Sequence, residues 1–307
     1  MDKQYANTVR LLLAVAPEVF ANDIFALKGG TAINLFVQEM PRLSVDLDVV
    51  YRPWHVPREI ALNAINAELD AIARQVAPLG VQTRRVHGKA SDDSKLMVEN
   101  DTSQVKIEVN TVFRGTVLPV ERKPLSAKTA DLFAVEFALP ILAPDELYAS
   151  KFVAALDRQH PRDLFDVWQL FEAGGITDGM VECFVVYLAG HNRPIREVLF
   201  GHDKDITSEY ERVFVGMTDV DVPLTTLLEA RAQLRHELST RLTAAHRQFL
   251  SGFVRGKPDW SLLQCQHAAD LPALRWKLDN LETFRKRRFD DFIEQATALE
   301  ARLNRQT

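Results

Sequence analysis

The first part of the chain alternates between helical and extended hydrophobic patterns. Apolar residues recur at helical spacing over residues 4–20, and a short apolar segment, Ile24 to Leu27, follows. The Gly-Gly-Thr triplet at 29–31 comes next and opens a second helical stretch that stops at Pro41. Residues 42–51 then alternate between apolar and polar positions, which predicts a strand with one buried face. The predicted order is helix, strand, glycine turn, helix and strand.

Further elements are predicted downstream. Apolar spacing predicts a helix over 59–76 and helices at 145–157 and 162–172, the last two separated by a break at His160-Pro161. Alternating patterns predict strands at 82–87, 95–99, 105–113 and about 133–139, with a loop at 122–130. From Pro144 onward the pattern is helical almost throughout. We therefore expect an α+β fold, with a mixed-sheet α/β domain over residues 1–140 and a mainly α-helical domain over residues 141–307.

The composition is that of an ordinary globular protein. Of 307 residues, 47% are hydrophobic and 26% are charged, which is enough apolar material for a sizeable core. Cys183 and Cys265 are the only cysteines, so the chain cannot build a disulfide framework or a four-cysteine zinc site. The apolar stretch Leu11 to Ala16 is too short for a signal peptide or a membrane span. We expect a cytoplasmic protein with no membrane partner.

Two aspartates mark the alternating strand as a candidate for metal chemistry. Asp46 and Asp48 are two positions apart, so their side chains point to the same face at a spacing of about 6–7 Å. Two carboxylates placed in this way repel each other unless a cation lies between them. Mg²⁺ is a hard cation that takes such oxygen ligands together with substrate phosphates. A solvated strand face is the plainer interpretation of the same triplet.

The neighbouring residues favour the chemical interpretation. Gly29-Gly30 opens a helix directly after a strand, and a helix start offers unpaired N–H groups to a phosphate. Glu108 lies on the polar face of a later predicted strand and is a candidate third carboxylate. Taken singly, the glycines are also typical of a tight turn, and Glu108 of a surface residue paired with Lys106.

Four segments, taken together and in order, resemble the AbiEii/AbiGii family of nucleotidyltransferase toxins, which includes the MenT-type toxins. The segments are LKGGTAINLF, RLSVDLDVVY, KIEVN and ELYASKFVAALDRQHPRDLFDVWQLF, and they extend from Lys28 to Phe171. The family belongs to the polymerase-β-like nucleotidyltransferase superfamily. The resemblance implies a catalytic core of this kind followed by a helical domain that completes the active site. Thr31 stands where many relatives have serine.

The resemblance also implies an activity, partners and site residues. It implies transfer of NMP from NTP to an RNA acceptor, with the tRNA 3′ end as the first acceptor to test. The transfer would require one or two Mg²⁺ ions. The resemblance further implies a toxin of a toxin–antitoxin or phage-defence system with a cognate antitoxin. The implied metal ligands are Asp46, Asp48 and Glu108, the implied nucleotide contacts are Gly29, Gly30, Thr31, Ser44 and Lys151, and the implied catalytic residues are Asp46, Asp48, Lys151 and Asp166.

The positions of Lys151 and Asp166 also indicate a functional role without the resemblance. A helical hairpin at Pro161 would bring Lys151 and Asp166 towards one cleft, where an ammonium would neutralise triphosphate charge. Asp166 lies in a helix that is apolar nearly all round, so it needs a partner or a role. Arg162, four residues back, is its plainest partner, and Asp163 is a second candidate for the same role. Lys151 alone would fit a solvated helix face.

Two basic stretches near the end of the chain are candidates for the acceptor site. Residues 231–257 hold six basic residues against one acidic residue, and residues 275–288 hold six against two, with Trp276 and Phe284 among them. Arginine and lysine bind an RNA backbone, and aromatic faces stack on unpaired bases. The overall charge of −5 conceals this division. Ordinary solvated helix faces are the alternative interpretation.

Other function classes have less support. The HPRD segment at 160–163 resembles part of a kinase catalytic loop, but position 168 is tryptophan instead of the required asparagine and no G-x-G-x-x-G is present. The histidines show no H-x-x-x-H spacing and no G-x-S-x-G elbow exists, which leaves zinc and hydrolase chemistry without a basis. A protein or small-molecule hydroxyl as acceptor, and a nucleotide-binding regulatory module without turnover, remain open.

Overall fold

The computed structural model describes residues 3–87 and 93–305. The chain divides into two compact units. The first comprises residues 1–147 together with the short segment 216–220, and the second comprises 148–215 and 221–307. The division between them falls inside a helix, Pro144–Asp157, and nothing in the sequence pattern predicted that 216–220 belongs to the first unit.

The first unit is built on a sheet. Within the described residues, seven strands form one mixed sheet in the order β3-β4-β5-β2-β1-β7-β6. The strands are β1 (Phe25–Lys28), β2 (Asp46–Tyr51), β3 (Gln82–His87), β4 (Asp93–Glu99), β5 (Gln104–Asn110), β6 (Glu121–Pro124) and β7 (Ala138–Ile141). The helices are α1 (Lys3–Val19), α2 (Gly29–Ala32, continued by a π-helical turn Ile33–Val37), α3 (Arg58–Val76) and α4 (Ala127–Phe133). The mixed sheet of the predicted α+β fold is confirmed.

The core of the first unit lies where the sheet meets α1 and α3. Leu47 and Val49 of β2 and Ile107 of β5 are fully buried, as the alternating pattern predicts. The helix predicted over 59–76 forms, but Ile60 is exposed, because its position lies off the buried stripe of α3. A short 3-10 turn, Ala77–Leu79, follows this helix and ends at Gly80 with φ of 73°, a left-handed conformation that glycine adopts without strain.

Two predictions of local structure are wrong. The strand predicted from residue 42 begins only at Asp46, because Leu43 donates to the carbonyl of Met217 and Arg42 bridges to Thr218 instead of continuing the sheet. Ser44 therefore precedes the strand. The loop and strand predicted over 122–139 are instead edge strand β6, helix α4 and strand β7, of which β7 begins at Ala138. The charged residues and Pro124 that blunt an edge strand also make it look like a loop.

The second unit is helical in its described residues. Its helices are α5 (Pro144–Asp157, from Tyr148 onward), α6 (Pro161–Glu172), α7 (Asp178–Ala189), α8 (Ile195–Leu199), α9 (Thr207–Glu209, continued by a π-helical turn Tyr210–Phe214), α10 (Leu224–Arg241), α11 (Ala244–Val254), α12 (Pro272–Arg287) and α13 (Phe289–Asn304). Every residue from Met180 to Ala189 is buried, so α7 forms the centre of this unit. Buried Glu182 on this helix is satisfied by His246 and by the Gln264 amide. No helix in the described ranges is long and apolar enough to cross a membrane.

Candidate active site

The glycine pair lies against the aspartate strand. Gly29 has φ of 77°, and a Cβ atom there would overlap the Oδ2 atom of Asp48 and lie 3.1 Å from Asp48 Cβ. A Cβ atom on Gly30 would lie 2.6 Å from the Nη2 atom of Arg42 and 3.0 Å from the Ser44 hydroxyl. Position 29 therefore requires glycine, Gly30 is closely packed by two side chains, and the first turn of α2 runs directly beside the Asp48 carboxylate.

Hydrogen bonds fasten this helix start to the strand. The buried Thr31 hydroxyl donates to the Asp46 carbonyl and lies 3.1 Å from the Ser44 hydroxyl. The Ser44 amide donates to the hydroxyl of Tyr5 at 3.0 Å. Thr31 and Ser44 were predicted as nucleotide contacts. In this structure their hydroxyls contact each other and Thr31 holds the backbone of Asp46, and their contact with a nucleotide stays a prediction.

A row of four charged residues crosses the sheet at the level of Asp48, with two adjacent carboxylates between two lysines. Lys28 is the register partner of Asp48 on one side and Glu108 its partner on the other, and Lys95 is the partner of Glu108. Glu108 is held by two ammonium groups, Lys95 at 3.0 Å and Lys106 at 2.8 Å. Lys106 also approaches Asp46 to 3.5 Å.

The carboxylates of this row are not equally compensated. Burial raises the pKa of Asp48, and the attraction of Lys28 does not offset burial together with the repulsion of Asp46 and Glu108. Glu108 behaves in the opposite way: burial alone would raise its pKa, but hydrogen bonds from Lys106 and Lys95 hold it below its usual value. Asp48 is thus the carboxylate whose burial is not offset by the neighbouring lysines.

The donor set can be tested against a divalent cation. Asp46 and Asp48 supply carboxylate oxygens, the ligands that Mg²⁺ prefers, and burial raises the pKa of Asp48 more than the attraction of Lys28 and Lys106 lowers it. Glu108 is already neutralised by its lysines. Among the described residues no group of three or more His, Cys, Asp or Glu side chains is arranged to hold a metal ion. The two aspartates therefore fit the predicted ion, and Glu108 as a third ligand stays a prediction.

The second unit contains a buried ionic cluster. The Lys151 ammonium on α5 lies 2.8 Å from Asp163 Oδ1 and 3.0 Å from Asp166 Oδ2, both on α6. The Lys151 side chain is 6% exposed and each aspartate is 1% exposed. Arg158, just after α5, donates to both oxygens of Asp163 through Nε and Nη2. The predicted helical hairpin at Pro161 thus joins Lys151 and Asp166 directly.

This cluster changes the expected role of Lys151. Although burial alone would raise it, the charges of Lys151 and Arg158 hold the pKa of Asp163 far below its usual value, so this carboxylate stays ionised. The ammonium is therefore engaged by two anions inside the protein. Neutralising a triphosphate would require it to leave a buried ion-pair network, which costs several kcal/mol, about 3–5 for a broken buried pair.

The sequence profile described as "Nucleotidyl transferase AbiEii toxin, Type IV TA system" matches residues 10–280 of this chain. The chain belongs to the AbiEii nucleotidyltransferase toxin family. It is thus a nucleotidyltransferase toxin of a type IV toxin–antitoxin system, with an NTP as substrate and an antitoxin as implied partner. A search of curated protein sequences finds no match.

A solved structure shares the fold. MenT4, a nucleotidyltransferase toxin from Mycobacterium tuberculosis H37Rv, is 17% identical in sequence and superposes with a TM-score of 0.59. The similarity covers 91% of this chain and 95% of MenT4. It confirms the fold expected for an AbiEii toxin.

The first predicted basic stretch of this AbiEii toxin is only partly exposed. Arg231 is buried and donates to Gln159 and to the Lys204 carbonyl, and Arg247 donates to carbonyls that include that of Ser239. These two guanidinium groups tie loops and helices together, whereas Arg241 and Lys257 are exposed. The second stretch is more open: the side chains of Arg275, Lys286 and Arg288 are 66%, 72% and 69% exposed, and Trp276 is 41% exposed.

Sequence reasoning missed several residues at both sites. Lys28 and Lys95 complete the charged row, and Arg42 is a buried guanidinium packed beside the glycine pair. Arg158 completes the cluster of the second unit. Lys28, the last residue of β1 before the glycines, could have been found from the antiparallel pairing of β1 with β2, whereas the position of Lys95 depends on the order of distant strands.

Proposed function

We propose that this AbiEii toxin is a Mg²⁺-dependent enzyme that transfers NMP from an NTP to an RNA acceptor, with the tRNA 3′ end as the acceptor site. The observation that carries the proposal is the juxtaposition of a glycine helix start with the undercompensated Asp48 and its neighbour Asp46. Helix N–H groups bind phosphate, and two carboxylates hold the cation that accompanies it. An NTP supplies both partners.

The acceptor hydroxyl attacks the α-phosphorus of the NTP, the bond to the bridging oxygen of pyrophosphate breaks, and the hydroxyl proton passes to solvent. Mg²⁺, when bound, lowers the pKa of the attacking oxygen and stabilises the leaving pyrophosphate. Asp46 and Asp48 would hold it, with Glu108 as the third predicted ligand. The backbone of Gly29, Gly30 and Thr31 orients the phosphates, as a helix start does for anions.

The remaining predicted residues support the site from within. Ser44 lies between the Tyr5 hydroxyl and Thr31 and fixes the entry to β2. Lys151 and Asp166 contribute to activity as members of the buried cluster of the second unit. RNA is favoured as acceptor by the exposed cations of residues 275–288 beside exposed Trp276, because arginine and lysine release counterions from a phosphate backbone.

The test measures where label goes. The protein is incubated with each of the four α-³²P-labelled NTPs, Mg²⁺ and total tRNA, and the products are separated by denaturing electrophoresis. We expect label in tRNA, lost when Mg²⁺ is chelated and lost when periodate has destroyed the 3′ diol. Asp46→Asn should reduce transfer by at least about a hundredfold, as loss of a metal-binding carboxylate removes the charge that the cation needs.

The matched control is Asp131→Asn, which removes an exposed aspartate of the first unit and should leave transfer unchanged. Label that stays in tRNA with Asp46→Asn contradicts the assigned site. Label that follows a protein or a small molecule instead identifies a different acceptor. Binding of NTP without any release of pyrophosphate supports a regulatory module in place of an enzyme.

A further inference from the structure

The ionic cluster of the second unit is balanced in charge but not in exposure. Lys151 and Arg158 carry the positive charges, and Asp163 and Asp166 the negative ones. Lys151 and both aspartates are enclosed, whereas 62% of the Arg158 side chain is exposed. Any anion that approaches this cluster from solvent therefore meets a guanidinium before it meets the ammonium.

Arg158 is fixed from behind by Asp163. The Nε and Nη2 atoms of Arg158 donate to the two carboxylate oxygens of Asp163, the second at 2.8 Å. Lys151 donates to the Oδ1 atom of the same carboxylate at 2.8 Å. A carboxylate shared in this way stays ionised, and a planar guanidinium bound along one edge has little freedom to turn.

The backbone that carries Arg158 is also held rigidly. The next residue, Gln159, is buried with φ of 55°, a left-handed conformation that is strained for a residue with a side chain. Its side-chain amide donates to the His202 carbonyl at 2.8 Å and accepts from the Lys204 amide at 2.9 Å and from Arg231 at 2.9 Å. Strain of this kind persists where the surroundings over-determine it, and it is concentrated at functional sites.

We propose that Arg158 binds a phosphate group of the substrates, that Asp163 is the positioning residue that aims it, and that Lys151 and Asp166 form the buried support. This proposal rests on the proposed function, because the phosphate is taken to be that of the NTP or that of the RNA. Guanidinium groups recognise phosphate through paired N–H donors, a geometry that an ammonium does not reproduce. The essential cation of the second unit is then Arg158, and Lys151 acts through Asp163.

The first experiment measures binding without turnover. Inorganic tripolyphosphate is titrated into the full-length protein and its variants by isothermal calorimetry, in parallel with filter binding of total tRNA. If the phosphate is that of the NTP, Arg158→Gln should weaken tripolyphosphate binding by about tenfold or more, the usual loss for a charge-assisted hydrogen bond. If the phosphate is that of the RNA, the same variant should weaken tRNA binding and make it less dependent on salt. Arg158→Lys should recover only part of the loss.

The control is Arg193→Gln. The Arg193 guanidinium is also exposed and also donates to carboxylates, Asp157 at 2.5 Å and Glu197 at 3.1 Å, but it does not touch the cluster. It should bind both probes like the parent protein. Unchanged affinity of Arg158→Gln for tripolyphosphate and for tRNA overturns the proposal.

A second experiment separates positioning from simple support of the fold. Asp163→Asn keeps the shape of the side chain and should raise KM for the affected substrate more than it lowers kcat. Combined with Arg158→Gln it should cost no further affinity, because both changes remove one interaction. Additive losses of affinity in the double variant show a structural role and refute the assignment. A loss of kcat in Arg158→Gln that is matched by a loss of the free energy of unfolding refutes it as well. If no NTP is turned over but tripolyphosphate binding still depends on Arg158, the proposed function fails and the phosphate site stands.

Discussion

Gly29 allows a direct test of the proposed nucleotide site of this AbiEii toxin. Gly29→Ala introduces one methyl group at a backbone with φ of 77°, and that methyl group would overlap the Asp48 carboxylate. Gly80 is a matched position: its φ is 73°, and a Cβ atom there would meet nothing within 4 Å. The two substitutions therefore share the backbone strain and differ in the contact with Asp48.

The magnitudes follow from this comparison. Alanine in a left-handed conformation costs about 1–2 kcal/mol, and the smaller entropy of its unfolded chain returns about 0.4–1 kcal/mol. Each variant should thus lose about 1 kcal/mol from strain alone. In Gly29→Ala the Asp48 carboxylate must also move, and a displacement of about 1 Å at a reacting centre costs about a hundredfold in rate.

The assay combines urea unfolding with release of pyrophosphate from NTP. We expect both variants to unfold at slightly lower urea concentration and only Gly29→Ala to lose activity, by about a hundredfold. Saturating Mg²⁺ should not restore it, because the ligand is misplaced and not merely weakened. Equal activity of the two variants would refute the view that Gly29 and Asp48 form one site.

Two further predictions concern the charged groups of each unit. Lys106→Met removes the ammonium that approaches Asp46 and Glu108, so the Mg²⁺ concentration for half-maximal activity should fall by about two- to fivefold, the range for a partly exposed ion pair. An unchanged Mg²⁺ requirement contradicts this prediction. A parallel shift in Lys95→Met would indicate that Glu108 also ligates the ion. The pKa of Asp163 is lower in the folded protein than in the unfolded chain, so its contribution to stability is present above about pH 4 and is lost as the pH falls through the folded value. Urea unfolding of the parent protein should therefore lose stability more steeply between about pH 5 and pH 2 than that of Asp163→Asn, and parallel pH profiles would show that Asp163 is not ionised in the fold.

The parts of the candidate site that are local in sequence could be predicted. Gly29, Asp46 and Asp48 lie within one strand–helix–strand segment, where periodicity and glycine chemistry determine the arrangement. The contact of Lys151 with Asp166 also follows from a short hairpin with a break at Pro161. In each case the interacting residues are separated by only one turn or one helix.

The parts that depend on distant pairing could not be predicted. Lys95 reaches Glu108 only because β4 pairs with β5, and Ser44 leaves the sheet because the preceding residues pair with 216–220, far along the chain. The basic stretch at 231–257 illustrates the same dependence. Charge in a sequence does not reveal whether an arginine faces solvent or, like Arg231, satisfies buried carbonyl and amide oxygens.

The two units of this toxin differ in how cations compensate their buried carboxylates. In the second unit each carboxylate of the buried cluster, Asp163 and Asp166, has a cation in contact, and the exposed part of the cluster is the guanidinium of Arg158. In the first unit Lys95 and Lys106 satisfy Glu108, while at Asp48 burial and the neighbouring acids outweigh the attraction of Lys28 and Lys106. A carboxylate left in that condition is destabilised in its ionised form until a cation arrives. In the proposed reaction a divalent ion that accompanies the nucleotide would supply that cation, so binding of substrate would relieve a cost that the fold sets up beside Gly29.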